Sequence, residues 1–429
     1  STSVGAIYPP NLVHKIKSIC ILSKDEPDST LTICPKHSSV RFKSDSGSTN
    51  TIKGRLFEGS QLVNKTWGAV KNAGSTIKST TQQAAALATN QIRSKRTVKE
   101  KISDEIHKIF DDSDSFYYCP DADFTNNLQR RDVQESDDRF FWNKHMLKDI
   151  LVLKDNAWVL RIIQGFAQVE HCAVGDDRFS LALVSRRSRF RAGTRYKRRG
   201  IDENGNVANY VETEQIFIFG EHQMAFFQIR GSIPVYWSQP TTLRYRPPAK
   251  IDRDDNETQI AFAKHFDGEL KLYKTICIIN LVEQSGKEKI MFDAYGNHVC
   301  CYNNDQLIYV TFDFHEYCRG MRFENVSSLI SALAPEAVRM SFHWRDAKGA
   351  ICNQNAVFRV NCMDCLDRTN VVQTAMGRVV LESQLVKVGL MPPYSQIPNQ
   401  LKLPFMLLWA NNGDIISKQY AGTNALKVM

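Results

Sequence analysis

The sequence predicts a mixed α/β protein, α+β overall, with a β-rich N-terminal part followed by an α/β domain built around a strand–loop–helix turn. Three observations carry this. Residues 356–360 are an apolar run, interrupted only by Arg359, that reads as a buried strand, and residues 371–385 read as a helix closed at Gly389. Residues 275–282 and 307–314 are further β-branched runs that read as central strands of the same sheet. Residues 12–35 alternate polar and apolar with β-branched side chains, as a hairpin or meander does, around the polar turn at 24–28.

Taken in order, residues 38–101 then shift to Ser, Thr, Gly, Asn, Lys and Ala, the composition of a linker or insertion. Within this stretch Ile52, Leu56, Val63, Trp67, Val70 and Ile77 share one side of a helical wheel, with Lys53, Arg55, Lys65, Lys71 and Lys78 off it. A basic amphipathic helix on a membrane and a helix packed on its own domain, or a loose insertion, both satisfy this pattern. Residues 104–110 read as a short helix, 116–119 and 124–126 as strands, and Phe140 opens another helix. A domain boundary is expected near Leu153, giving domains 1–152 and 153–429. Strands are then expected over 158–174 and 179–184. Residues 186–199 follow with eight Lys or Arg in fourteen positions. Such a run suits a phosphate-rich surface, single-stranded RNA or simply water.

With 429 residues the chain can build two cores, and 42% hydrophobic and 24% charged residues are those of a globular protein. Its net charge of +9 favours an anionic partner, nucleic acid or acidic lipid. Eleven irregularly spaced cysteines do not form a disulfide framework and suggest a reducing cytosol. The apolar runs fall short of the eighteen or so residues of a membrane span.

The chemistry is concentrated in Cys362-Met363-Asp364-Cys365-Leu366-Asp367-Arg368-Thr369, a Cys-x5-Arg-Thr pattern on the strand-to-helix turn. Backbone N–H groups and a helix N-terminus there favour anions, phosphate and thiolate alike. A cysteine so placed can fall from about 8.5 into the range of roughly 3.5–7.5 and become a nucleophile at neutral pH. Arg368 brings a planar fork for two phosphate oxygens, and Thr369 a hydroxyl for the sulfur. Asp364 and Asp367 are carboxyls that could protonate a leaving alkoxide and then activate water. This chemistry requires no metal or cofactor. Half of a zinc site or a thioredoxin-like redox pair at Cys362 and Cys365 would leave the acids and the Arg-Thr unexplained.

The full string from Phe358 to Asn370 resembles the active-site loop of the Sac-domain phosphoinositide phosphatases. Residues 202–215, 228–239, 313–315 and 409–423 resemble signatures of the same family, and the likeness extends over roughly 116–426. It is nearest the F-type inositol phosphatase branch in the strings around Cys362, around Phe140 to Lys144, and at Met391-Pro392-Pro393. The resemblance implies a Sac N-terminal domain ahead of a catalytic domain and a lipid substrate, where the loop alone implies only a Cys-dependent phosphatase. It implies Cys362 as nucleophile, Arg368 and Thr369 as its partners, and Asp364 as general acid, with Asp367 the alternative. Asn361, Met363, Cys365 and Leu366 would line the substrate, and Arg186, Arg187, Arg191, Arg195, Lys287 and Lys289 would meet lipid or inositol phosphates. Cys365 could also form a reversible disulfide with Cys362 or be a small core residue.

The implied activity is removal of the 4-phosphate, with the 3- or 5-phosphate, or a lipid-binding adaptor, as alternatives. The implied setting is cytoplasmic, on endosomal or other endocytic membranes, with a phosphoinositide surface and not nucleic acid as partner. Family members continue past the Tyr420–Thr423 signature, so both ends of the chain are expected to be truncations.

Overall fold

The computed structural model describes residues 1–19 and 98–426, apart from 112, 134, 154, 241–246 and 320–321. The chain forms two compact units, Ser18–Ser113 and the remainder. In the first, the described part is helix α1 (Val98–Asp111), which contains the helix expected over 104–110. The amphipathic stretch from Ile52 to Ile77 lies outside the described residues.

The larger unit is organised on one twelve-stranded sheet. A hairpin of β1 (Thr2–Tyr8) and β2 (Asn11–Lys15) leads into β3 (Phe116–Tyr118), β4 (Ile162–Val174), β5 (Asp177–Arg187), β6 (Val211–Phe219) and β7 (His222–Arg230), all antiparallel. After the short pair β8 (Trp237–Ser238) and β9 (Lys250–Ile251) come β10 (Thr275–Asn280) and β11 (Leu307–Thr311), then the hairpin β12 (His343–Asp346) and β13 (Gly349–Cys352), and finally β14 (Ala356–Asn361). The order β7-β14-β10-β11 is parallel. The sheet is therefore antiparallel in its first half and parallel in its second. The boundary expected near Leu153 falls inside this unit, and β3 and β4 pair in register across it.

The sequence makes the parallel half a middle layer. β10 and β14 are buried along almost their whole length and alternate between two apolar cores, as strands covered on both faces do. Phe358 and Val360 face one core with α4 (Val326–Met340), α5 (Asp367–Lys387) and α6 (Asn399–Ala421). Val357, Ile276 and Ile278 face the other, with α2 (Asp255–Tyr273) and α3 (Lys289–Tyr302). At Gly377 helix α5 approaches the sheet so closely that a Cβ would stand 2.7 Å from the Gln215 side chain.

Several local expectations need correction. Residues 11–15 form a strand that pairs with residues 2–8; the turn expected at 24–28 and residues 31–33 lie outside the described part. Residues 124–126 form a turn, because Asp123 accepts hydrogen bonds from both the N–H and the hydroxyl of Thr125. Past Phe140 there are only short helical turns, Lys144–Leu147 and Lys148–Leu151. Among the described residues no helix is long and apolar enough to cross a membrane.

Candidate active site

β14 ends at Asn361, α5 begins at Asp367, and the intervening loop lies at the carboxyl ends of the parallel strands, where open α/β sheets bind ligands. Asn361 is wholly buried and donates through Nδ2 to Oδ1 of Asn280 on β10 (2.7 Å), which fixes the point where the chain leaves the sheet. Cys365 then takes a left-handed conformation with φ +53°, at a cost of about 1 kcal/mol for a residue other than glycine. That turn points the Cys365 N–H at Cys362 Sγ (3.1 Å), and Thr369 Oγ1 reaches the same sulfur at 3.6 Å. Hydrogen bonding from Cys365 outweighs the burial that opposes it, Arg368 and Thr369 add to it, and the Cys362 thiol is lowered to about 6. Burial and the neighbouring sulfur push Cys365 the other way, well above the usual thiol range. Its Sγ–H donates to the Gly231 carbonyl at 3.0 Å. Cys362 is thus the thiolate and Cys365 stays a thiol.

Arg368 is clamped by Glu288. Its Nη1 and Nη2 donate to both oxygens of Glu288 (3.0 and 2.8 Å), and Nη1 also donates to the Leu281 carbonyl (3.2 Å). Glu288 itself accepts from the Glu283 N–H, so the clamp is anchored to the turn before α3. Of the five N–H donors of a guanidinium, these bonds leave Nε–H and one on Nη2, which lie along one adjacent edge of the fork. Two parallel donors on one edge suit two phosphate oxygens.

The loop carboxyls differ. Asp364 accepts from Arg195 Nη1 at 3.0 Å and from Arg199 Nη1 at 2.6 Å. Burial pushes its carboxyl up, but Arg199 and Arg195 outweigh this and hold it below the usual range. Asp367 makes no ion pair among the described residues; it accepts the Leu426 N–H at 3.0 Å, and burial, aided by the Asp364 charge, outweighs that bond and the opposing pull of Arg195 and Arg230 and raises it above the usual carboxyl range.

Segments far away in sequence support the loop from below. Asn209 Nδ2 donates to the carbonyls of Asp364 and Cys365 (3.2 and 3.3 Å). Arg230, wholly buried, reaches Asn370 Oδ1 at 3.1 Å, and burial lowers it to about 10, so it remains a cation beneath the loop. Arg359 on β14 is braced by His265, Tyr295 and the Ser232 carbonyl. Met363 and Leu366 are buried, Leu366 against Ile416 and Tyr420.

The basic run divides. Arg195 lies at the loop, paired with Asp364. Arg186 does not belong to an open face: it is fully buried, ion-paired with Glu214 at 2.8 Å and donating to the Phe124 carbonyl. Arg187 is buried too, donating to the Gly193 carbonyl and to Gln164. Arg191 is folded back onto the carbonyls of Arg199 and Gly200. These three are corrections to the expectation of a phosphate contact: Arg186 and Arg187 are buried at the end of β5, where Glu214, Gln164 and backbone carbonyls receive them, and Arg191 in the following loop is taken up by the carbonyls of its own loop. Lys287 is exposed beside Glu288, and Lys289 pairs with Asp293 along its own helix. His315 is exposed and faces Glu283 at 3.7 Å. Arg199, Asn209, Arg230 and Glu288 were missed. Asn209 and Arg230 stand within or beside the segments that carried the resemblance, which was the available signal.

A family model of the SacI homology domain (Syja_N) matches residues 3–319. The chain belongs to the SacI homology domain family. Its Sac sequence is 44% identical over 465 residues to the phosphatidylinositide phosphatase SAC2 of Danio rerio and 42% identical over 464 residues to that of Homo sapiens. Each alignment takes in 99% of this chain and 40% of the relative, so the chain spans about two fifths of the length of those proteins. The phosphatidylinositol-3-phosphatase SAC1-B of Danio rerio is 38% identical over 330 residues, 73% of this chain and 56% of that one.

Proposed function

We propose that this Sac-family chain hydrolyses a phosphomonoester of a phosphoinositide headgroup through a phosphocysteine on Cys362. The observation that carries the reading is the lowered Cys362 thiol, hydrogen-bonded by Cys365 and the Thr369 hydroxyl, beside an arginine whose second two-donor edge has no partner among the described residues. The names of the relatives supply the lipid class.

In the first step the Cys362 thiolate attacks phosphorus, the S–P bond forms and the P–O bond to inositol breaks. Arg368 and the N–H groups of the loop take the charge of the equatorial oxygens. The departing alkoxide needs a proton. Asp364, held charged by two arginines, is poorly suited to give one, so the arrangement favours Asp367, whose raised carboxyl keeps its proton more readily. In the second step water loses a proton to Asp367 and attacks phosphorus, S–P breaks, and inorganic phosphate leaves with the thiolate restored.

The 4-phosphate is the position suggested by the likeness to the F-type branch; the relative named a phosphatidylinositol-3-phosphatase keeps the 3-phosphate as the second reading. Endocytic membranes are the setting that likeness suggests. Phosphate release from short-chain mono- and bis-phosphorylated phosphatidylinositols, without added metal, tests this against Cys362→Ser. Release from the 4-phosphate isomer that disappears in the variant is expected. Release from the 3-phosphate isomer alone would move the position, and release that persists in the variant would refute the mechanism.

A further inference from the structure

Between Trp142 and Ile162 the chain makes an excursion whose two ends are pinned together. Asn143 Nδ2 donates to the Leu160 carbonyl (2.8 Å), Asn143 Oδ1 accepts from the Ile162 N–H (2.9 Å), and the Trp142 N–H donates to the Ile162 carbonyl (2.9 Å). Such a loop is held at its foot and projects as a unit. Its composition is the reverse of an ordinary surface loop. Met146 is 82% exposed, Val152 78%, Leu153 71% and Trp158 75%, while Val159 is tucked in at 8%. Four large apolar side chains in thirteen residues, one of them tryptophan, are directed at solvent, and concentrations of this kind mark interaction sites.

Sheet register gives the loop its position. Gln164, two residues into β4, pairs with Arg187, Arg187 with Val211, Val211 with Arg230, Arg230 with Val360, and Asn361 with Asn280. The loop at the start of β4 and the catalytic loop after β14 therefore leave the sheet at the same end. The basic segment between β5 and β6 joins them. Arg189 binds Asp138 near the foot of the apolar loop, and Arg195 and Arg199 bind Asp364 in the catalytic loop. Between these, Tyr196, Lys197 and Arg198 are exposed.

We infer that residues 144–160 are an insertion loop that docks this end of the sheet on an anionic phospholipid bilayer. Met146, Val152, Leu153 and Trp158 enter the boundary between headgroups and acyl chains, and Lys197 and Arg198 meet lipid phosphates. Charge complementarity selects a bilayer as the occupant: a protruding apolar tip beside cations is the pattern of interfacial anchors, and tryptophan favours that boundary. The net charge of +9 acts in the same sense. The inference rests on the phosphoinositide reading for its purpose, since the catalytic loop then faces the layer in which its substrate lies, but the contact itself can be measured without turnover.

The test is sedimentation of the whole chain with vesicles of phosphatidylcholine and phosphatidylserine, alongside Trp158→Ser and Leu153→Ser. Each variant is expected to bind vesicles about tenfold or more weakly, because burying one such side chain is worth at least that factor. Hydrolysis of a water-soluble short-chain phosphoinositide should stay unchanged in both. Brominated acyl chains should quench fluorescence in the parent, and the quenched component should disappear in Trp158→Phe. Equal sedimentation of parent and variants would overturn the inference, as would a parent that ignores vesicles, which is expected if a protein partner or another part of this chain covers the loop. Loop-dependent sedimentation without hydrolysis of any soluble lipid would support the docking and count against the phosphatase reading alone.

Discussion

Glu288 holds Arg368 by two parallel hydrogen bonds of 2.8 and 3.0 Å, although the residues are eighty positions apart. The pair leaves the arginine one edge with two donors for a phosphate. Glu288 is therefore a positioning residue. Glu288→Gln, which keeps the size and loses the charge, is expected to lower kcat/KM by roughly tenfold to a hundredfold and to weaken inhibition by vanadate similarly, because a charge-assisted pair is replaced by a weaker one. Glu288→Asp should recover part of the loss. Unchanged vanadate affinity in Glu288→Gln would show that the fork is held in some other way.

The Cys362 thiol at about 6 has a direct signature in alkylation. Only the thiolate reacts, so the rate with iodoacetamide should rise with pH and level off above a midpoint near 6. Thr369→Val removes one donor to the sulfur and should move the midpoint upward. A midpoint near that of an ordinary thiol in the parent would contradict the hydrogen bonding described.

The two loop carboxyls can be separated by the leaving group. Asp367→Asn should slow formation of the phosphocysteine from an inositol phosphate by about a hundredfold or more, the usual worth of a general acid, and should barely affect the first-turnover release of phenol from an aryl phosphate, whose phenolate leaves unaided. Asp364→Asn releases Arg195 and Arg199 and should slow both substrates alike. The reverse pattern would return the acid to Asp364.

His265 is buried and held well below its ordinary value of 6.5 by burial and then by Arg359, partly offset by its bond to the Gly205 carbonyl. Burial lowers His298 and His343 as well. The unfolded chain binds protons at these sites that the folded chain refuses, so their contribution to stability is complete above about pH 6.5 and is lost progressively as pH falls below it. Thermal melts from about pH 7.5 to about pH 5.5 should show Tm falling, and His265→Asn should flatten the fall, since an amide can occupy the site without titrating. A Tm indifferent to pH in the parent would contradict a neutral His265.

What the sequence revealed, and what it hid, follows from where the information lies. β10 and β14 were legible because strands buried on both faces are written as largely apolar runs, and the Cys-x5-Arg-Thr turn was legible because Cys362, Arg368 and Thr369 lie within eight residues. Arg186 was misread because a charge in the sequence does not disclose its partner: Glu212 faces it across two strands in register, and Glu214 lies two residues further along β6. Glu288 was hidden by the more conspicuous Lys287 and Lys289, and nothing local ties it to Arg368. Asn209 carries a left-handed φ of +50°, which lets its side chain reach the loop carbonyls, and composition gives no sign of it.

The most direct test of the central claim is acid quenching of the protein within its first turnover of a phosphoinositide labelled in the reacting phosphate, followed by mass analysis of the peptide that contains Cys362. The account predicts labelled phosphate on Cys362 of the parent and none in Cys362→Ser. Phosphate released at full rate with no label on that peptide would contradict a phosphocysteine and with it the role given to this loop.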